Sequence, residues 1–292
     1  MANFGSLDKS LMIDPKSLLT VSIVVTTKNE EKNINLCLKS IKLQTYSQEK
    51  VEIIVVDNNS TDKTKEIAKK YTDKVFNFGP ERSAQRNFGA AKAQGRYVMF
   101  LDADMRLSPE VVKECFEKVK RDERIIALYI PEIILGEKFW SKVRRFERSF
   151  YNGTVIDCVR FVKKEAFVKV GGFDEGLTGP EDWDFDKKIR KIGKVALISA
   201  PLYHNEKEFN LKNYLAKKAY YAKSFKRYIQ KWGRDDPEIK KQFGVWYRFF
   251  EVFLEKGKWK KLISYPILAL GMLVLRLLVG FTFLVRKKTK SL

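Results

Sequence analysis

Residues 97 to 107 read YVMFLDADMRL, an apolar run that closes on two aspartates, Asp102 and Asp104, with a single alanine between them. A short unbroken apolar run ending in charge is the pattern of a strand covered on both faces, as in parallel sheets flanked by helices. The same form recurs on either side. Upstream lie VSIVVTT (21–27), VEIIVVD (51–57) and KVFNFG (74–79); downstream lies RIIALYIPEI (124–133). Helical stretches separate them, around Lys32 to Leu43, after Ser60-Thr61-Asp62, near Ser83 to Gln94 and near Pro109 to Val119. This alternation predicts an α/β fold, Rossmann-like, with a mostly parallel central sheet and helices on both faces. Ligands of such sheets bind beyond the carboxyl ends of the strands. Thr26-Thr27-Lys28-Asn29, Asp57-Asn58-Asn59 and Asp102-Ala103-Asp104 are therefore expected to gather at one edge.

Composition narrows the class. The chain has 292 residues, 45% of them apolar, which is ample for a core and excludes a disordered protein. Its 57 Lys and Arg against 36 Asp and Glu give a net charge of +21, which predicts attraction to polyanions: nucleic acid, an anionic bilayer or phosphorylated small molecules. Cys37, Cys115 and Cys158 are odd in number and lack metal-site spacing, so they read as small apolar residues of a reducing compartment. The first residues, MANFGSLDKSLMIDPKSLL, lack the basic-then-apolar order of a secretory signal, so the catalytic portion is expected to stay inside the cell.

Two adjacent carboxylates at a strand end need a compensating charge. A helix cap or a solvated turn would supply it trivially; a hard divalent cation carrying phosphate oxygens would supply it functionally. A metal-bound diphosphate implies a nucleotide, and suitable groups are near. Asp57 can accept from a base N–H or a ribose hydroxyl, the turn after Thr26 exposes donors, and Arg82 and Arg86 open a helix in ERSAQRNFGAAKAQG, where guanidinium groups suit phosphate or simply face solvent. No P-loop and no GxGxxG element is present. Farther on, Glu181-Asp182-Trp183-Asp184 places acids at the start of a helix, where the dipole favours the anionic carboxylate. His204, the single histidine, ends a strand.

Four blocks in order, SIVVTTKNEEKNI, EIIVVDNNSTDKT, RSAQRNFGAAKAQGRYVMFLDAD and GGFDEGLTGPEDWDF, resemble the family 2 glycosyltransferases, inverting enzymes of the GT-A fold, over about residues 20 to 205. That resemblance implies a nucleotide-sugar donor held by Thr26, Thr27, Asn29, Glu30, Asp57, Arg82, Arg86, Asp102 and Ala103, with Asp57 on the nucleoside. It implies Mn2+ or Mg2+ on Asp102 and Asp104, with His204 as a third ligand. It also implies Asp182 as the general base that deprotonates an acceptor hydroxyl, Glu181 positioning the acceptor and Trp183 either stacking on a sugar or packing.

The remainder is organised as a short extension (1–20), the catalytic domain (21–209), basic and aromatic helices that lie at a lipid surface or equally cover the sheet (210–261), an apolar segment (262–285) and a basic tail (286–292). The apolar segment, LISYPILALGMLVLRLLVGFTFLV, is long enough to cross a bilayer, and its leucine-class residues outweigh the insertion cost of Arg276; a re-entrant or in-plane hairpin, and a helix packed into a dimer or the catalytic domain, are the alternatives. The expected acceptor is thus a lipid-linked or other glycan at the cytoplasmic membrane face, and nucleic acid is not an expected partner. A polyprenyl-phosphate sugar synthase is disfavoured by the Glu-Asp pair, since a phosphate nucleophile needs no base. A catalytically silent scaffold is disfavoured by Asp102, Asp104 and Asp182 standing intact.

Overall fold

A computed structural model describes residues 21–206 and 209–289, except the side chains of residues 256 and 282–289; the extension 1–20 and the last residues of the basic tail lie outside the described residues. Strands β1 (Val21–Thr27), β2 (Val51–Asp57), β3 (Val75–Asn77) and β4 (Tyr97–Asp102) run parallel, joined by helices α1 (Ile34–Lys42), α2 (Thr64–Lys69) and α3 (Arg82–Lys92). There follow β5 (Met105–Leu107), α4 (Val111–Arg121), β6 (Ile125–Tyr129), β7 (Glu132–Ile134), α5 (Phe139–Arg148), β8 (Phe161–Lys163), α6 (Lys164–Lys169), α7 (Glu181–Ile192), β9 (Lys194–Leu197) and β10 (Leu202–His204). The central sheet has the order β3-β2-β1-β4-β8-β6-β9, with β8 antiparallel to both neighbours, and β5-β10-β7 form a small second sheet. The α/β class and mostly parallel sheet expected from the sequence are what the structure contains.

Strand alternation explains the double-sided core. Val21, Ile23 and Val25 enter one apolar cluster with Ile34, Leu38 and Ile41 of α1 and Phe116 of α4. Val24, between them, enters the opposite cluster with Ala90 of α3, Phe167 of α6 and Phe185 of α7. Both faces being covered, no position of β1 is polar outward, which is why its burial is complete. Phe100 and Phe161 sit fully enclosed in these layers, and truncating either to alanine costs about 3–5 kcal/mol. Gly89 lets α3 approach the sheet: a Cβ there would fall 2.3 Å from Val24 Cγ1, so only glycine brings this helix, and the arginines it carries, so near the strand ends.

Beyond the second sheet come α8 (Leu211–Tyr221), α9 (Phe225–Trp232), α10 (Pro237–Phe243), α11 (Val252–Leu254), α12 (Trp259–Ser264) and α13 (Pro266–Thr289). The apolar C-terminal segment does form a helix, but among the described residues no helix is long and apolar enough to cross a membrane. Instead α13 lies along α5 and buries Met272 and Leu275 in a cluster with Val143, Phe146 and Phe150. Arg276, read from the sequence as a charge in mid-membrane, turns inward. Its Nε donates to Glu147 at 3.2 Å, its Nη2 donates to the Tyr151 hydroxyl, and its guanidinium lies 4.5 Å from the Phe253 ring centroid.

Candidate active site

The strand ends meet as expected, and pairing fixes how. Thr27 stands opposite Asp57 and Thr26 opposite Asp102, so β2, β1 and β4 deliver their last residues side by side. Thr26 Oγ1 donates to Asp102 Oδ1 at 2.8 Å, and the Ala103 amide donates to the Thr26 carbonyl at 3.0 Å. Asn29 takes a left-handed φ of 53°, a conformation asparagine tolerates, and is held there because its Oδ1 accepts from the Thr61 amide at 2.9 Å while its own amide donates to Ser60 Oγ at 2.8 Å. A cavity of about 200 Å³ opens beyond these ends, lined by Thr26, Thr27, Lys28, Glu30, Arg82, Gln85, Asp102, Ala103, Asp104, His204 and Lys217.

Two arginines one helical turn apart meet Asp102: Arg82 lines the cavity, and Arg86 is buried beside it. Arg86, almost wholly buried, donates from Nη1 to Asp182 Oδ1 at 2.7 Å and from Nη2 to Asp102 Oδ1 at 3.1 Å, with its guanidinium 5.1 Å from the Phe173 centroid. Arg82 donates to Glu181 Oε1 at 3.1 Å and to the Tyr221 hydroxyl at 3.2 Å, and lies 3.6 Å from Asp102 Oδ2. The acids of β4 and of α7 are therefore neighbours through shared cations. Burial alone would raise the Asp102 carboxyl, but Arg86, Arg82 and Arg160 hold it far below the usual carboxylate range. Glu181 goes the other way: burial and the Asp182 charge push it up despite Arg82.

The two acids of α7 have distinct surroundings. Glu181 is enclosed and tied to Arg82 and to the Gly179 amide, so its side chain is fixed in place. Asp182 keeps 31% of its side chain exposed and is oriented by Arg86. It is the more exposed of the pair.

On the opposite wall, His204 is strung between two carboxylates. Its Nδ1 is 2.7 Å from Glu132 Oε1 and its Nε2 is 3.2 Å from Asp104 Oδ2. Burial would lower the imidazole, yet hydrogen bonds to Asp104 and Glu132 raise it to about 10. Glu132 is itself gripped by Arg148 at 3.3 Å and Arg160 at 3.2 Å.

Several expectations need correction. Asp102, Asp104 and His204 do not assemble as a three-ligand set: Asp102 is committed to Thr26 and the two arginines, and among the described residues no group of three or more His, Cys, Asp or Glu is arranged around one point for a metal. What remains fits a divalent ion completed by substrate oxygens. Asp104 Oδ1 is a buried acceptor without a hydrogen-bond partner, beside an imidazole oriented from behind by a carboxylate, the arrangement metal-binding histidines adopt. Asp57 is fully enclosed with its carboxylate accepting from the Ser60 amide at 2.7 Å and from the Ser60 hydroxyl, and it does not line the cavity. Of the two readings left open for Trp183, the geometry is that of packing: its Nε1 donates to the Ile156 carbonyl at 3.0 Å, and Phe225, Tyr228 and Phe243 surround the ring.

Glu132, Gln85, Lys217 and Tyr221 belong to this site and were not singled out from the sequence. Gln85 Nε2 staples α3 to the carbonyls of Thr27 and Val56 at 3.0 and 2.7 Å. Lys217 and Tyr221 come from α8, in the stretch read as lipid-facing; α8 instead closes one side of the cleft, with Tyr220 donating to Glu81 at 2.9 Å. A charged residue inside the apolar run IPEI was the available signal for Glu132.

Residues 22–173 match the model of Glycosyl transferase family 2, more than half of the chain, and the chain belongs to that family. Its relatives include the following two. The minor teichoic acid biosynthesis protein GgaB of Bacillus subtilis strain 168 is 29% identical over 202 residues, covering 63% of this chain and 22% of that protein. The poly(ribitol-phosphate) beta-N-acetylglucosaminyltransferase TarS of Staphylococcus aureus strain Mu50 is 32% identical over 204 residues, covering 64% of this chain and 35% of that one. The chain thus matches only a minor part of the length of either. Among solved structures, a mannosyltransferase from Pyrobaculum calidifontis in complex with GDP-Man and Mn2+ matches with a TM-score of 0.58 at 17% identity, over 93% of this chain and 80% of that one. S. aureus TarS 1-349 in complex with UDP-GlcNAc matches with a TM-score of 0.53 at 20% identity, over 71% and 66%. At such identities the likeness is one of fold, and the fold is GT-A.

Proposed function

We propose that this chain is an inverting glycosyltransferase that moves a sugar from a UDP- or GDP-linked donor to a hydroxyl of a glycan or lipid-carried glycan. The observation that carries the reading is the Arg86 bridge: one buried cation binds both Asp102, at the donor edge, and Asp182, the accessible acid of α7. The donor's diphosphate enters the cavity beyond β1 and β4, where Lys28, Lys217 and Arg82 supply positive charge. Asp104 and His204 would hold Mn2+ or Mg2+ there, which when bound neutralises charge on the departing diphosphate. Asp182 takes the proton of the acceptor hydroxyl as its oxygen bonds to the anomeric carbon. The bond from that carbon to the diphosphate oxygen breaks on the far side, and the nucleoside diphosphate leaves with the electron pair. No sugar-enzyme bond forms, so the anomeric configuration inverts.

The teichoic-acid and poly(ribitol-phosphate) relatives support an acceptor hydroxyl on a polymer. The test is a panel of UDP- and GDP-sugars screened with Mn2+ for thermal stabilisation, followed by proton NMR of the product formed from the stabilising donor. Stabilisation by one donor and an inverted anomeric proton are expected. A product with retained configuration overturns the single-displacement mechanism, and stabilisation by none of the donors overturns the transferase reading.

A further inference from the structure

Helix α13 is polar on the wrong side for a helix in water. Its one charge among the described side chains, Arg276, is buried against Glu147 and Tyr151 of the protein. Its outward stripe, spaced every three or four residues, is bare hydrocarbon: Ile267 is 72% exposed, Leu270 65%, Leu277 63% and Phe281 65%, with Val274 between them. Soluble helices place charge outward and leucine inward; the reverse arrangement is that of helices whose outer neighbour is lipid. The margin of the stripe reinforces the point. Helix α12 exposes Trp259, Lys260, Lys261 and Ile263, and Tyr265 follows, so aromatics and lysines stand where the apolar face begins, as they do at a bilayer interface.

We propose that the outer face of α12 and α13 docks on an anionic bilayer, with the apolar stripe in the acyl boundary and Lys260 and Lys261 on lipid phosphates. The helix lies in the plane of the interface because Leu268, Ala269, Met272 and Leu275 commit its other face to the cluster around α5. The chain's net charge of +21 complements such a surface and would repel a second copy of itself. This docking is independent of the transfer reaction and would stand if the proposed chemistry failed.

The test is flotation of the full chain with vesicles of phosphatidylcholine alone and of phosphatidylcholine with phosphatidylglycerol, compared with Leu270→Glu/Leu277→Glu and with Lys260→Glu/Lys261→Glu. The altered side chains are exposed, so circular dichroism should show both variants folded. The wild type is expected to float with the mixed vesicles. The leucine variant should lose binding about tenfold or more, and the lysine variant should lose its preference for anionic lipid. Wild type that stays unbound to both vesicle types, or a leucine variant that floats as well as wild type, overturns the proposal. So does light scattering that shows a wild-type dimer which the leucine change splits, since a second copy would then cover the face.

Discussion

Replacing Arg86 with methionine separates a structural arginine from a decorative one. Arg86 is 1% exposed and binds Asp102 at 3.1 Å and Asp182 at 2.7 Å. Methionine fills much of the same volume, so the change mainly deletes charge. Stripping one partner from a buried ion pair costs about 3–5 kcal/mol because the other charge is left uncompensated. Here Asp102 keeps the Thr26 hydroxyl at 2.8 Å and Arg82 at 3.6 Å, and Asp182 is partly wet, which puts the expected loss near the lower bound, about 3 kcal/mol. For a catalytic domain of this size that corresponds to a fall in Tm of roughly 6–12 °C. Urea and thermal unfolding of Arg86→Met measure it, and double-mutant cycles with Asp102→Asn and Asp182→Asn apportion it. The coupling to Asp102 should exceed that to Asp182, the more exposed partner. A variant within about 1 kcal/mol of wild type, with no coupling to either acid, would refute the view that this guanidinium binds the two halves of the cleft together.

Glu132→Gln should leave His204 in place but weaken Mn2+ binding about tenfold or more, measured by calorimetry in the presence of UDP; unchanged affinity would remove Glu132 as the group that orients the imidazole. Gly179→Ala meets a φ of 105° that alanine rarely adopts, and its Cβ would lie 2.4 Å from Tyr221 Cβ, so it should push α8 from the cleft and lower transfer more than it lowers stability; full transfer by this variant would contradict that packing. Burial pushes the Asp186 carboxyl up to about 7 against the pull of Arg190. The folded state therefore holds a proton that the unfolded state releases near pH 4, and Asp186's contribution declines by on the order of 4 kcal/mol as pH rises from 4 to 7. Asp186→Asn should remove that decline, read as a urea-midpoint difference from wild type that changes across the window; a constant difference would contradict it.

Periodicity made the first four parallel strands and their helices legible, because each strand is buried on both faces and its apolar run is unbroken. It gave no warning of β8, three residues inserted antiparallel into the sheet, since so short a strand carries no period of its own. The meeting of the strand ends was legible for a similar reason: Thr26, Asp57 and Asp102 close their strands, and parallel register puts strand ends together. What each carboxylate faces was not legible. Asp57 turning to Ser60 and Asp102 turning to Arg86 depend on loop conformation and on how closely α3 approaches at Gly89. Glu132 was hidden because its partners, His204, Arg148 and Arg160, lie far away along the chain. Arg276 misled for the opposite reason: hydropathy counts a charge without knowing which way it points.

The central claim is that Asp182 removes the acceptor's proton while the donor is held by other groups. Its most direct measurement compares Asp182→Asn with wild type in donor affinity and in the rate of transfer to acceptor. Donor affinity should stay within about twofold while transfer falls by about 10²–10⁴. Transfer at the wild-type rate by Asp182→Asn would contradict the account.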